Sequence, residues 1–142
     1  IFMIGRGLDY FIAMEGSLKL KEVSYIHSEA YASGELKHGP LALITEHTPV
    51  VAVATQKQLL SKEVSNIREV RSRGADVVLF AKEQLMPEEE EGYLTFELPD
   101  VRDEFMCLPA AAALQLLAYY VSSDKGYDVD KPRNLAKVVT VE

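Results

Sequence analysis

The stretch that decides the fold is IFMIGRGLDYFIAMEGSLKLKEVSYI, residues 1–26. Its first four residues are apolar and predict a short buried strand. Gly5 and Gly7 then predict a tight turn into a helix that reaches about residue 26. Asp9 stands where a side chain could cap that helix. A buried strand followed closely by a helix is the unit from which α/β proteins with parallel sheets are built.

The same alternation of strands and helices continues along the rest of the chain. We predict further strands over residues 50–54, 77–81 and 93–98, the last of them at an edge, and helices over 35–44, 60–73 and 105–123. Residues 27–34 are irregular in pattern and rich in small residues, so no strand or helix is predicted there. The pattern indicates an open α/β sandwich, with a ligand crevice at the carboxyl ends of its strands.

The composition argues against several classes of partner. The formal net charge of −7 disfavours nucleic acid and acidic membrane surfaces. The longest apolar run, residues 105–121, contains Pro109 and Gln115 and predicts a buried core helix rather than a membrane span. Cys107 is the only cysteine, so we expect an inert core thiol, a cytoplasmic location and no cysteine-based metal site. Because Ile1 opens a buried strand without an initiating methionine, we expect a fragment of a longer protein.

Charged residues lie among apolar ones on the first predicted helix. Glu15, Lys19 and Glu22 stand at i, i+4 and i+7 and therefore share one face. A separate arc is expected to face solvent: Ser17, Lys21 and Ser24. Charges enclosed by apolar side chains are costly unless they pair or take part in chemistry. The pattern alone leaves two interpretations open, an ordinary Glu15–Lys19 ion pair with a tolerated Glu22, or a catalytic group.

Two segments carry a resemblance to a known family. Residues 18–40 read LKLKEVSYIHSEAYASGELKHGP, and residues 132–137 read PRNLAK. Both resemble segments of glucosamine-6-phosphate synthase, also called glutamine–fructose-6-phosphate aminotransferase (isomerizing), and the likeness covers nearly the whole chain. The resemblance implies a second sugar-isomerase (SIS) domain over residues 1–125, a flavodoxin-like three-layer αβα sandwich with a parallel sheet. Residues 126–142 would be a C-terminal tail that contributes to the active site.

The resemblance also implies an activity and partners. The family makes glucosamine 6-phosphate and glutamate from fructose 6-phosphate and glutamine, with no cofactor or metal expected. The implied partners are the sugar phosphate, the first SIS domain and the glutamine amidotransferase domain of the same parent chain, and a second copy in a homodimer. Residues 54–58 (ATQKQ) lack the serines and glycines of a phosphate loop, so the isolated chain is not expected to be fully active. An SIS-family fructosamine-phosphate deglycase and a non-catalytic sugar-phosphate-binding module are the alternatives.

Four charged residues have roles implied by the family motifs. Glu22 would be the base that moves a proton between C1 and C2 of the sugar, a role that suits a carboxylate whose pKa burial can raise. Lys19, one turn away, would polarise a sugar oxygen or tune Glu22. Glu15 would pair with Lys19 or with Arg133. Glu22 is also expected to contact the substrate directly.

The remaining implied site residues lie outside the first predicted helix. His38 would open the sugar ring as a proton shuttle supplied by the neighbouring subunit, because histidine titrates near neutrality. From the residues alone, a helix-terminal histidine bonded to a carbonyl is the alternative. Lys137 would form an imine with the open-chain ketose, with Ala136 beside it in the substrate site. A solvated surface lysine is the alternative for Lys137.

Overall fold

A computed structural model describes residues 1–86, 94–133 and 135 of the chain. The strands in this part are β1 (Phe2–Gly5), β2 (Glu29–Ala32), β3 (Pro49–Ala54), β4 (Asp76–Lys82) and β5 (Leu94–Leu98). Its α-helices are α1 (Leu8–Ser24), α2 (Leu60–Arg71) and α3 (Cys107–Asp124). Among the described residues, five parallel strands form one sheet in the order β2-β1-β3-β4-β5. The predicted three-layer α/β fold with a parallel sheet is confirmed.

Helices cover both faces of the sheet, because alternate residues of each strand point to opposite sides. Ile4 and Val50 lie in the core shared with α2, whereas their neighbours Met3 and Val51 pack in the core shared with α1 and α3. All four side chains are at most 5% exposed. Each such burial contributes about 1.5–3 kcal/mol. The alternation along β1 and β3 therefore ties the three layers together.

One arc of α1 is buried where solvent exposure was predicted. Lys21 is exposed as expected, but Ser17 and Ser24 are at most 2% exposed, so the prediction is wrong for both. The Ser17 hydroxyl lies 3.0 Å from that of Ser28, and the Ser24 hydroxyl donates to the carbonyl of Leu20 at 2.6 Å. Hydroxyl groups with such partners can be buried at little cost.

Residues 27–34, for which no strand was predicted, contain strand β2. This edge strand is half-buried or exposed and includes Glu29 and Tyr31 rather than a continuous apolar run. Its apolar–polar alternation is too short to show in the sequence. The Tyr31 ring stacks on Phe2 of β1, with the ring centroids 5.7 Å apart. The neighbouring strand therefore supplies the packing that makes this segment a strand.

The helix predicted over residues 35–44 is broken into two 3₁₀ helices, Ser33–His38 and Pro40–Leu43. Gly39 separates them with φ 142°, a conformation that favours glycine. Pro40 has no amide hydrogen to continue a helical hydrogen-bond ladder. His38 therefore ends a short turn instead of lying inside a longer helix.

Helix α3 packs on the sheet along one side only. It begins and ends within two residues of the predicted bounds. Ala110, Leu114 and Ala118 are buried, but Leu108 and Tyr120 are at least 65% exposed. Cys107 is exposed, so the predicted core thiol is wrong. In the described part of the chain, no helix combines the length and apolar character needed to cross a membrane.

Candidate active site

The charged stripe on α1 is a compact group. The Lys19 Nζ lies 2.6 Å from Glu22 Oε2 and 3.9 Å from Glu15 Oε1. The hydrogen bond to Glu22 raises the pKa of Lys19, so the ammonium stays charged beside the carboxylate. Both expected contacts of Lys19 are present, and the one with Glu22 is the shorter. All three side chains remain partly exposed, with 26% for Glu22, so a further surface could cover the carboxylate.

The chain beyond α3 returns to the end of α1. The backbone N–H of Arg133 donates to the hydroxyl of Tyr25 at 2.7 Å. The Arg133 guanidinium carbon lies 4.1 Å from the centroid of the Tyr25 ring, and Tyr127 packs edge-on against that ring at 5.0 Å. Of the two partners expected for Glu15, the structure shows Lys19, because Arg133 stacks on Tyr25 instead. Ala136 and Lys137 lie outside the described residues.

His38 is not placed beside Glu22 of the same chain. It follows the carboxyl end of β2. Helix α1 starts beside the carboxyl end of β1 and runs back towards the amino ends of the strands. Glu22 lies about 14 residues after Leu8, a rise of about 20 Å along the helix. His38 is 74% exposed, and its described contact is with Glu35 at 3.9 Å rather than with a helix-terminal carbonyl.

The crevice at the carboxyl ends of β1 and β3 is filled by the protein's own side chains. The backbone N–H of Leu8 donates to Gln56 Oε1 at 2.7 Å. Asp9, predicted to cap α1, lies buried within that helix and accepts hydrogen bonds from the Thr55 backbone N–H (2.8 Å) and hydroxyl (2.5 Å). Burial raises the pKa of Asp9, and the Thr55 hydrogen bonds oppose that effect. A phosphate would need these amide groups, so the geometry agrees with the lack of a phosphate loop.

A second polar cluster, missed from the sequence, lies next to this crevice. The Ser33 hydroxyl donates to Glu63 Oε1 at 2.7 Å, and Arg6 lies 3.7 Å from Glu63 Oε2 and donates to Asn66 at 2.7 Å. The helix predicted over residues 60–73 is present as α2, and Glu63 and Asn66 are buried on its inward face. Their spacing with the buried Ile67 was the available signal.

Metal binding finds no support in the described residues. No group of three or more His, Cys, Asp or Glu side chains there is arranged to hold a metal ion. On the α1 stripe, the Glu22 carboxylate is held against the Lys19 ammonium group, an arrangement that suits proton transfer.

These features define a member of the SIS domain family, whose model matches residues 1–122, and the chain belongs to that family. It is 58% identical over all 142 residues to the glutamine–fructose-6-phosphate aminotransferase [isomerizing] of Caldanaerobacter subterraneus subsp. tengcongensis. It is 54% identical over 139 residues to the protein of the same name from Pseudomonas putida. The chain spans 23% of the length of each relative. The family resemblance inferred from the sequence motifs is confirmed.

Solved structures give the same relationship. The C-terminal domain of glucosamine-fructose-6-phosphate aminotransferase from Francisella tularensis superposes with a TM-score of 0.85 at 46% identity, covering 92% of this chain and 37% of that one. A glucosamine-6-phosphate deaminase from Thermotoga maritima superposes with a TM-score of 0.73 at 27% identity, covering 97% and 39%. The chain thus corresponds to well under half of each matched structure.

Proposed function

We propose that this chain is the second SIS domain (residues 1–125) and C-terminal tail (residues 126–142) of a cytoplasmic enzyme. That enzyme would make glucosamine 6-phosphate and glutamate from fructose 6-phosphate and glutamine. The observation that carries the proposal is Glu22, paired with Lys19 at 2.6 Å on a partly exposed helix face. The 58% identity to an aminotransferase of this kind over the whole chain supports the choice of reaction.

In the proposed mechanism, Glu22 takes a proton from one of the carbons C1 and C2 and returns it to the other. A single carboxylate suits this task because one group both accepts and donates the proton. Lys19 holds Glu22 in place and can polarise a sugar oxygen. Lys137 and Ala136 belong to the tail that contributes to the substrate site. The Lys137 amine adds to the open-chain ketose carbonyl and forms an imine with loss of water.

His38 opens the sugar ring in the site of a second copy of the chain. The support is geometric, because Glu22 lies towards the amino ends of the strands and His38 lies at their carboxyl ends. The His38 side chain is also 74% exposed and free to reach across an interface. A homodimer would therefore complete each site.

The sugar phosphate is held mainly by the first SIS domain of the parent chain. Gln56 and Asp9 already occupy the amide groups that could bind an anion at the crevice of this domain. An amidotransferase domain of the parent would supply the ammonia. A phosphosugar deaminase or deglycase is the second candidate, supported by the TM-score of 0.73 to a glucosamine-6-phosphate deaminase.

The test uses the full-length protein and follows glucosamine 6-phosphate formation from fructose 6-phosphate and glutamine. Glu22→Gln should lower kcat by about 10²- to 10⁴-fold, because it removes the base and keeps the shape. Glu46→Gln, at a residue that is 84% exposed and makes no described contact with Glu15, Lys19 or Glu22, is the matched control. A fully active Glu22→Gln variant would show that Glu22 forms an ion pair with Lys19 and has no catalytic role. Release of ammonia from glucosamine 6-phosphate without synthesis would favour the deaminase. Binding of the sugar phosphate without turnover would favour a non-catalytic module.

A further inference from the structure

Tyr25 adopts a backbone conformation that a bulky residue rarely takes. Helix α1 ends at Ser24, and Tyr25 follows with φ 60° and ψ 18°, in the left-handed region. Glycine or asparagine is the usual residue at this position after a helix, because a Cβ atom makes the conformation costly. A bulky residue in this conformation raises the question of what its side chain contacts.

The Tyr25 side chain holds the segment that follows α3. Its hydroxyl accepts the backbone N–H of Arg133 at 2.7 Å, 108 residues along the chain. Its ring carries the Arg133 guanidinium at 4.1 Å and the edge of Tyr127 at 5.0 Å. Gly126, with φ 75°, turns the chain after α3 towards this ring. One strained residue thus makes three separate contacts with the same segment.

We propose that Tyr25 is a positioning residue that anchors the C-terminal segment next to Glu22, so that the Lys137 amine is delivered to the sugar. The proposal rests on the imine role of Lys137 given under Proposed function. Glu22 is three residues before Tyr25, less than one helical turn. Lys137 is only four positions after Arg133, a span of at most about 14 Å. Anchoring Arg133 therefore limits how far Lys137 can be from Glu22.

The contacts of Arg133 argue for an anchor rather than for substrate binding. Its guanidinium lies over an aromatic ring, and its backbone N–H is taken by the same side chain. A cation over a ring and a hydrogen bond each fix position at modest free energy.

The experiment compares three variants of the full-length protein. Tyr25→Gly suits the left-handed backbone but removes every side-chain contact. Tyr25→Phe keeps the ring and loses only the hydroxyl. His47→Gly is the matched control, because His47 has φ 61° and is an exposed residue outside the anchor. Both glycine variants relieve similar strain, so any difference between them reports the anchor.

The first readout is limited trypsin digestion followed by mass spectrometry. Cleavage after Arg133 requires its guanidinium to leave the Tyr25 ring. We expect this cleavage to be about tenfold faster in Tyr25→Gly, about threefold faster in Tyr25→Phe, and unchanged in His47→Gly. Equal cleavage in all of them would overturn the proposal. This readout needs no activity and therefore stands whether or not the proposed reaction is correct.

The second readout is the kinetics of glucosamine 6-phosphate formation. The anchor should act on kcat more than on the KM for fructose 6-phosphate, because the phosphate is bound elsewhere. We expect kcat to fall about tenfold in Tyr25→Gly, with partial recovery in Tyr25→Phe. Full activity in Tyr25→Gly together with an inactive Lys137→Arg would refute the positioning role alone. Full activity in Lys137→Arg would refute the imine role. The digestion pattern would still test whether Tyr25 holds Arg133.

Discussion

The buried carboxyl of Glu63 should make the stability of this chain depend on pH. Glu63 is 2% exposed, and its Oε2 is buried without a hydrogen-bond partner. Burial raises the pKa of Glu63 from 4.5 to about 7, although the Ser33 hydrogen bond and the Arg6 charge oppose the rise. Glu63→Gln replaces the ionisable group with a neutral one of the same shape.

The sign and size of the effect follow from the two pKa values. The folded chain holds the Glu63 proton more tightly than the unfolded chain, so this group favours folding while it is protonated. Its contribution is complete below about pH 4.5 and is lost as the pH rises through about 7. Each pH unit between the two pKa values corresponds to about 1.4 kcal/mol, so the total loss is about 3 kcal/mol above pH 8.

Urea unfolding of the 142-residue chain, followed by circular dichroism between about pH 5 and 8.5, measures this loss. The Glu63→Gln variant should match the wild type near pH 5 and exceed its unfolding free energy by up to about 3 kcal/mol at the alkaline end. Glu69→Gln is the control, because Glu69 is on the same helix but partly exposed and paired with Lys37 and Arg73. Parallel pH profiles for the wild type and Glu63→Gln would refute the reasoning.

Two further substitutions test the packing that supports the site. Gly16→Ala should lower the unfolding free energy by about 1–3 kcal/mol, because its Cβ would come within 2.5 Å of Leu114 Cδ1 and push α3 away from α1; an unchanged urea midpoint would show that Leu114 yields freely. Asp9→Ala should cost about 3 kcal/mol, because the buried Thr55 N–H and hydroxyl lose their acceptor. A loss below about 0.5 kcal/mol in the same assay would contradict that role.

The order of the main strands and helices could be predicted because each of them has a clear pattern of apolar residues in its own segment. β3 and β4 are continuous apolar runs, which is typical of central parallel strands. The segment over residues 18–40 identified the family and with it the candidate role of Glu22. The Lys19–Glu22 pair needs only helical spacing, so its proximity was also within reach of the sequence.

Other features have no local signal. Strand β2 was missed because Glu29 and Tyr31 interrupt its apolar character, and its pairing partner β1 lies well back along the chain. The burial of Ser17 depends on Ser28, and that of Glu63 on Ser33. A polar side chain is predicted to be exposed unless its hydrogen-bond partner in the interior is known.

The sequence by itself determined the alternation of strands and helices, the parallel α/β sheet and the family. These follow from side-chain periodicity and from motifs that are contiguous in the chain. Only the tertiary structure decided that Gln56 and Asp9 fill the crevice and that Tyr25 holds Arg133. It also decided that Glu22 and His38 lie near opposite ends of the strands. The physical reason is that each of these depends on which distant segments the packed layers bring together, and such contacts leave no periodic trace in the chain.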